Sequence, residues 1–194
     1  MMQKYIFNLI ILILVFGMSA GEDPTDQKQK KEYVDLYRKA LSVVQKESTL
    51  KLLKISSSIN KTVSACLLSK FKENETYGAM RTLQSKRNDT TITNIYVALA
   101  LPTLPVRPSL RIYAQQGQLS PGWDDIQFIM HAEIQKCIII KSVNSEDQPC
   151  ALWGVSKKLT KDCMEKFDEL CDGKAAIANM ATCKWKIQKK KSAK

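Results

Sequence analysis

The sequence predicts an all-β domain flanked by two helices. Seven or eight short segments rich in β-branched and aromatic residues lie between positions 49 and 155, separated by turn-forming breaks such as LPTLPVRP and GQLSPG. One amphipathic helical stripe precedes them and another follows. Strands at such short spacing suit a sandwich or an up-and-down antiparallel barrel.

The opening MMQKYIFNLIILILVFGMSAGED has a basic residue, Lys4, an apolar run from Ile6 to Phe16 and small residues beyond it. That is the layout of a secretory signal peptide over residues 1–20. The apolar run is too short for the roughly 20 residues of a spanning helix. The mature chain then starts near Gly21 and forms one domain to Cys183, followed by a basic tail over 184–194.

Asp23-Pro24 is a helix start, and Tyr33, Leu36, Tyr37, Ala40, Leu41 and Val44 form one apolar stripe up to about Lys46. Strand candidates follow: TLKLLKISSSI, TVSACLLSKF, TTITNIYVALAL, SLRIYAQQ, WDDIQFIMHAEI, CIIIKSV and CALWGV, with ETYGAMRTLQSKR weaker. The clearest alternation is at 126–135, where Ile126, Phe128, Met130, Ala132 and Ile134 share one face and Ile129 breaks the rule. Leu159, Cys163, Phe167, Leu170 and Cys171 form the second helical stripe, which starts at Thr160 or Asp162 and stops at Gly173.

All six cysteines lie beyond the leader, and an even number in an exported chain predicts three disulfides. Cys163 and Cys171 sit eight residues apart on one helix, roughly 12 Å at a rise of about 1.5 Å. A disulfide spans at most about 7 Å between Cα atoms, so these two cannot pair with each other. Sequons at Asn60, Asn74 and Asn88 are candidate glycosylation sites and agree with export.

Composition excludes several functions. His131 is the single histidine, no Cys-x-x-Cys occurs, and neither a phosphate-binding glycine loop nor Gly-x-Ser-x-Gly is present. We therefore expect no enzyme, no metal and no cofactor. The net charge of +11 is concentrated in the tail KWKIQKKKSAK, which holds six lysines and no acid; Lys184, Lys186, Lys189, Lys190 and Lys191 are candidates for contact with an anionic polysaccharide. No sequence-specific nucleic-acid motif is present.

Cys137-Ile138-Ile139-Ile140, Leu152-Trp153, Cys163-Met164-Glu165-Lys166-Phe167 and the final Cys183 resemble the framework of the tick salivary lipocalins, the family that includes the histamine-binding proteins. The early DLYRKAL and TVSACLLSKF are similar in order and spacing. The resemblance implies an eight-stranded antiparallel up-and-down lipocalin barrel with the N-terminal and C-terminal helices packed outside. It also implies the pairings Cys66–Cys183, Cys137–Cys163 and Cys150–Cys171. A Gly-x-Trp near the first strand, common among lipocalins, is absent.

An eight-stranded barrel has room inside for one small ligand. The expected lining is Tyr96, Tyr113, Ile126, Phe128, Met130, Ile138, Ala151 and Trp153. Amine-binding members carry an Asp just after the cysteine matching Cys137 and a Glu just before Leu-Trp, whereas Ile138 and Ala151 stand there in this chain. A buried ammonium without a carboxylate is costly, so the resemblance points to a secreted salivary monomer that sequesters a fatty acid, eicosanoid or sterol rather than an amine. A weaker amine site would use Glu133 or Asp125, and the alternative partner is a host protein, such as complement or a cell-surface target.

Overall fold

The N-terminal stripe forms helix α1, Pro24–Val44, which buries Ala40, Val43 and Val44. A computed structural model describes residues 24–59, 63–64, 66–86, 90–102, 106–116, 119, 123, 125–144, 148–156, 160–171, 175–179 and 184–188. The leader at 1–20, the sequons at Asn60 and Asn88, Cys183 and Lys189, Lys190 and Lys191 lie outside the described residues.

Eight strands follow α1: β1 (Leu50–Ser56), β2 (Leu67–Glu75), β3 (Gly78–Lys86), β4 (Thr90–Ala100), β5 (Ser109–Ala114), β6 (Gln127–Glu133), β7 (Cys137–Ser142) and β8 (Cys150–Gly154). Each pairs antiparallel with the next. β8 returns to β1, with Trp153 opposite Leu52 and Ala151 opposite Ile55. The sheet therefore closes on itself, which satisfies the backbone of what would otherwise be two open edges.

After β8 comes helix α2, Lys161–Leu170, and then a hairpin of β9 (Ala175–Asn179) and β10 (Lys184–Gln188). Among the described residues β2 pairs with β1 at Leu50 and Lys51, and β9 takes over that side of β1 from Lys54 to Ser56. Sequence patterning does not reveal β9, because AAIAN has neither alternation nor β-branched density. The expected boundary between domain and tail at 183 falls inside this hairpin, and the sheet continues through Gln188.

α1 lies across the barrel end that carries the β2–β3 and β6–β7 turns. Just past the helix, Gln45 Nε2 donates to the carbonyls of Glu75 and Gly78 at 2.8 and 3.2 Å. Lys46 Nζ donates to the carbonyl of Gln135 at 2.9 Å. Leu36, Tyr37 and Leu41 pack onto the interior cluster from this side.

α2 covers the outside of the barrel, where a second apolar cluster gathers Leu53, Ile139, Leu152 and Phe167 around two disulfides. Cys137 is bonded to Cys163, and Cys150 to Cys171, so each helical cysteine reaches a strand. Cys66 is disulfide-bonded as well. Lys54 belongs to this layer too. It is 1% exposed, its Nζ lies 2.5 Å from Asp168 Oδ1 and 5.2 Å from the centre of the Phe167 ring.

Strand β6 corrects one expectation. Ile126 and Ile134, assigned to the buried face, are 41% and 62% exposed, while Ile129 is fully buried. A register shift between Ile129 and His131 moves the alternation by one residue, so that Ala132 again points inward. Met130 lies outside the barrel, packed against the cluster under α2. The apolar face read from the sequence combined residues from both sides of a strand that is covered on both.

Candidate functional site

A cavity of about 50 Å³ occupies the barrel interior. A single buried water needs roughly 10–15 Å³ on the same measure, so the space exceeds a packing defect. Its walls are Leu83 from β3, Ile95 and Val97 from β4, and Leu110 and Ile112 from β5. Ile138 and Ile140 of β7 and Trp153 of β8 complete the opposite side. The end beneath α1 is formed by Val44, Leu50, Ser69 and Arg81. The alternation of each strand explains this lining, because inward residues on neighbouring antiparallel strands face one another in pairs.

Among the described residues Arg81 is the single charged one of the lining, and its side chain is 1% exposed. It sits between Ala79 and Leu83 on the inward face of β3, and its fork meets five acceptors. Nε donates to Ser69 Oγ at 2.9 Å. Nη1 donates to the carbonyls of Val44 and Lys46, both at 2.8 Å. Nη2 donates to the carbonyls of Ser48 and Ser69, both at 2.9 Å. All five N–H groups are thus satisfied, as a buried guanidinium requires.

Those partners also explain how the cation is tolerated. None is a carboxylate, but Val44 ends α1 and Lys46 follows it, so the guanidinium caps free carbonyls at the negative end of the helix. Burial lowers the Arg81 pKa to about 10, which leaves it protonated at neutral pH. The side chain fastens α1 and the α1–β1 connection to the barrel while placing a positive charge at one end of the cavity.

Trp153 links the cavity to the loop before β6. Trp123 in that loop is buried and meets Trp153 edge to face at 5.6 Å between ring centres. Trp153 faces the cavity, and Trp123 supports it from behind.

Of the residues expected to line a ligand site, Ile138 and Trp153 lie at the cavity and Ala151 lies in the interior cluster. Tyr96 and Tyr113 do not. They are directly paired across β4 and β5, with ring centres 6.1 Å apart, and Tyr113 is 44% exposed. Their neighbours Ile95, Val97 and Ile112 take the inward positions, so the tyrosines fall on the outer face by alternation. Phe128 is half-buried and outside the cavity lining, with Ile126 exposed and Met130 under α2. Sequence reasoning missed Arg81 and Ser69. The available signal was an arginine at the centre of the apolar alternation Ala79, Arg81, Leu83.

A second polar group lies outside the barrel. His131 Nε2 is 3.8 Å from Glu133 Oε1, and both residues adjoin Cys163. The sulfur of Cys163 is committed to Cys137, which leaves two of the three as available ligands. Burial holds the His131 pKa below its usual value, with Lys166 and Lys39 adding to the effect and Glu133 opposing it. Asp125 is on the surface, where its carboxylate accepts from Asn144 at 3.3 Å. Neither acid faces the cavity.

A closed eight-stranded meander, covered by a helix at one end, surrounds a hollow interior. This is the lipocalin fold. No protein-family model matches the chain, and no curated protein matches it in sequence. Among solved structures, japanin from Rhipicephalus appendiculatus, crystallised with bound cholesterol, is similar at 16% identity and a TM-score of 0.49, over 66% of this chain and 90% of japanin. Apocrustacyanin C2 is similar at 8% identity and a TM-score of 0.49, over 84% of this chain and 86% of that one. Lobster apocrustacyanin A1 is similar at 8% identity and a TM-score of 0.47, over 76% and 80%. At these values the likeness concerns the course of the backbone alone, and the architecture rests on the strand pairing described above.

Proposed function

We propose that the chain is a secreted lipocalin of the tick salivary type, which sequesters a small apolar host mediator of fatty-acid or eicosanoid chemistry. It acts by stoichiometric binding, without turnover, to dampen host inflammation or haemostasis. One observation carries this reading: among the described residues the interior cavity is lined mainly by hydrocarbon, with no carboxylate and with Arg81 as its single charge. Apolar pockets with few polar groups are the usual form of small-molecule sites. An ammonium ion placed there would lose its hydration, gain no counter-ion and meet a like charge. Ile138, at the position where amine-binding relatives carry an acid, adds an apolar wall instead. The leader-like opening and the buried disulfides Cys137–Cys163 and Cys150–Cys171 support export into an oxidising compartment.

Native mass spectrometry of the protein against fatty acids, eicosanoids, histamine and serotonin tests this. We expect one-to-one complexes with the lipids, together with a change in tryptophan emission from Trp153. Submicromolar histamine binding without lipid binding would overturn the assignment.

A further inference from the structure

We infer that the cavity takes a ligand whose polar end is an anion, seated on the Ser69 hydroxyl with the Arg81 guanidinium directly behind it. This rests on the reading of the cavity as a ligand site.

Ser69 is buried on β2 opposite Leu50, and both residues line the cavity. Its oxygen accepts the Arg81 Nε proton at 2.9 Å. A hydroxyl carries one proton of its own, and that of Ser69 has no acceptor among the described residues. Accepting from a cation polarises the hydroxyl and makes that proton a stronger donor. The cavity end beneath α1 therefore presents one activated donor, and the acceptor it needs has to come from an occupant.

Arg81 decides the charge of that acceptor. Its five N–H groups are spent on protein oxygens, so the ligand does not bond to the guanidinium itself. The positive charge persists, however, with no carboxylate among the groups that hold it. In surroundings of low dielectric a cation one hydroxyl away favours an anion strongly and disfavours another cation. A neutral oxygen gains the hydrogen bond alone. An anion gains the bond and neutralises the buried charge.

The body of the ligand is set by the rest of the lining. Leu83, Ile95, Val97, Leu110 and Ile112 offer no further donor, so the body is hydrocarbon. The class is an aliphatic carboxylate, held with its head beneath α1.

Octanoate, 1-octanol and octylamine share one chain length and differ at the head, and calorimetric titration of the full chain at neutral pH compares them. We expect octanoate to bind about tenfold more tightly than octanol, the effect of a charge-assisted hydrogen bond, with octylamine the weakest. Ser69→Ala should remove that preference and Ser69→Thr, which keeps the hydroxyl, should retain it. The near-ultraviolet circular dichroism of the Trp123–Trp153 contact reports whether each variant is folded. If Ser69→Ala loses that signal, the ranking in the unaltered protein and in Ser69→Thr decides. Equal affinities for octanoate and octanol, or a preference that survives a folded Ser69→Ala, overturn the inference and leave the cavity reading standing. Binding of none of the three removes the cavity reading and the inference with it.

Discussion

Replacing Arg81 by Met retains much of the stem and removes the guanidinium. Five acceptors lose their donor at once: the carbonyls of Val44, Lys46, Ser48 and Ser69, and Ser69 Oγ. Hydrogen bonds to a charged group contribute about 1.5–3 kcal/mol each, so the gross loss exceeds about 7 kcal/mol. Two effects reduce it. Burying the cation carries a desolvation cost that the variant avoids, and the carbonyls just past α1 can turn to water. The expected net loss is therefore about 3–5 kcal/mol, comparable with breaking a buried ion pair. Arg81→Lys should recover only a minor part, because three donors on a point charge cannot replace a planar fork with five. Urea denaturation at pH 7 measures the stability. Hydrogen exchange locates the change, with α1 and residues 45–48 exchanging faster while β6 to β8 stay protected. A loss under about 1 kcal/mol with unchanged exchange in α1 would refute the idea that this side chain fastens the helix.

Two further perturbations concern the outer layer. Asp168→Ala leaves Lys54 as a buried cation without its carboxylate and should cost about 2–3 kcal/mol, moderated because Asp168 is half exposed. Lys54→Met, which removes the charge and keeps the volume, should change stability by less than about 1 kcal/mol or raise it; urea midpoints that fall equally in both variants would contradict this. His131 has a folded-state pKa below the ordinary 6.5, chiefly through burial, so the unfolded chain binds its proton more readily. Its contribution to stability is complete above about pH 6.5 and is lost as the pH falls through the lowered value. His131→Gln should accordingly flatten the acid limb of the stability profile, and identical profiles for the two proteins would show that burial of the imidazole has no part in it.

Local chemistry made much of this fold legible. The helical stripe from Tyr33 to Val44 and the strands around Ile95, Ile112 and Ile139 occur where their periodicity places them. The eight-residue separation of Cys163 and Cys171 barred a bond between them, and each is bonded instead to a strand. What patterning could not supply was facing. Tyr96 and Tyr113 are as apolar as their neighbours, and nothing in the run TNIYVAL states which parity points inward. In β6 both faces are covered, inside by the core and outside by helices, so Met130 and Ile129 are equally apolar and a register shift exchanges their roles. β9 escaped because its alanine-rich run AAIAN is held by pairing with β1 and β10 rather than by propensity.

The sequence by itself determined the strand-rich body, its two helices and the even cysteine set. Those are properties of residue type and spacing, which short-range sterics and solvation read directly. Only the tertiary structure decided that β8 closes on β1, which parity lines the interior, and that Arg81 reaches across from β3 to carbonyls more than thirty residues earlier. Each of these depends on contacts between segments distant in the chain. A single inward arginine acquires its meaning only when the helix end it caps is packed against it.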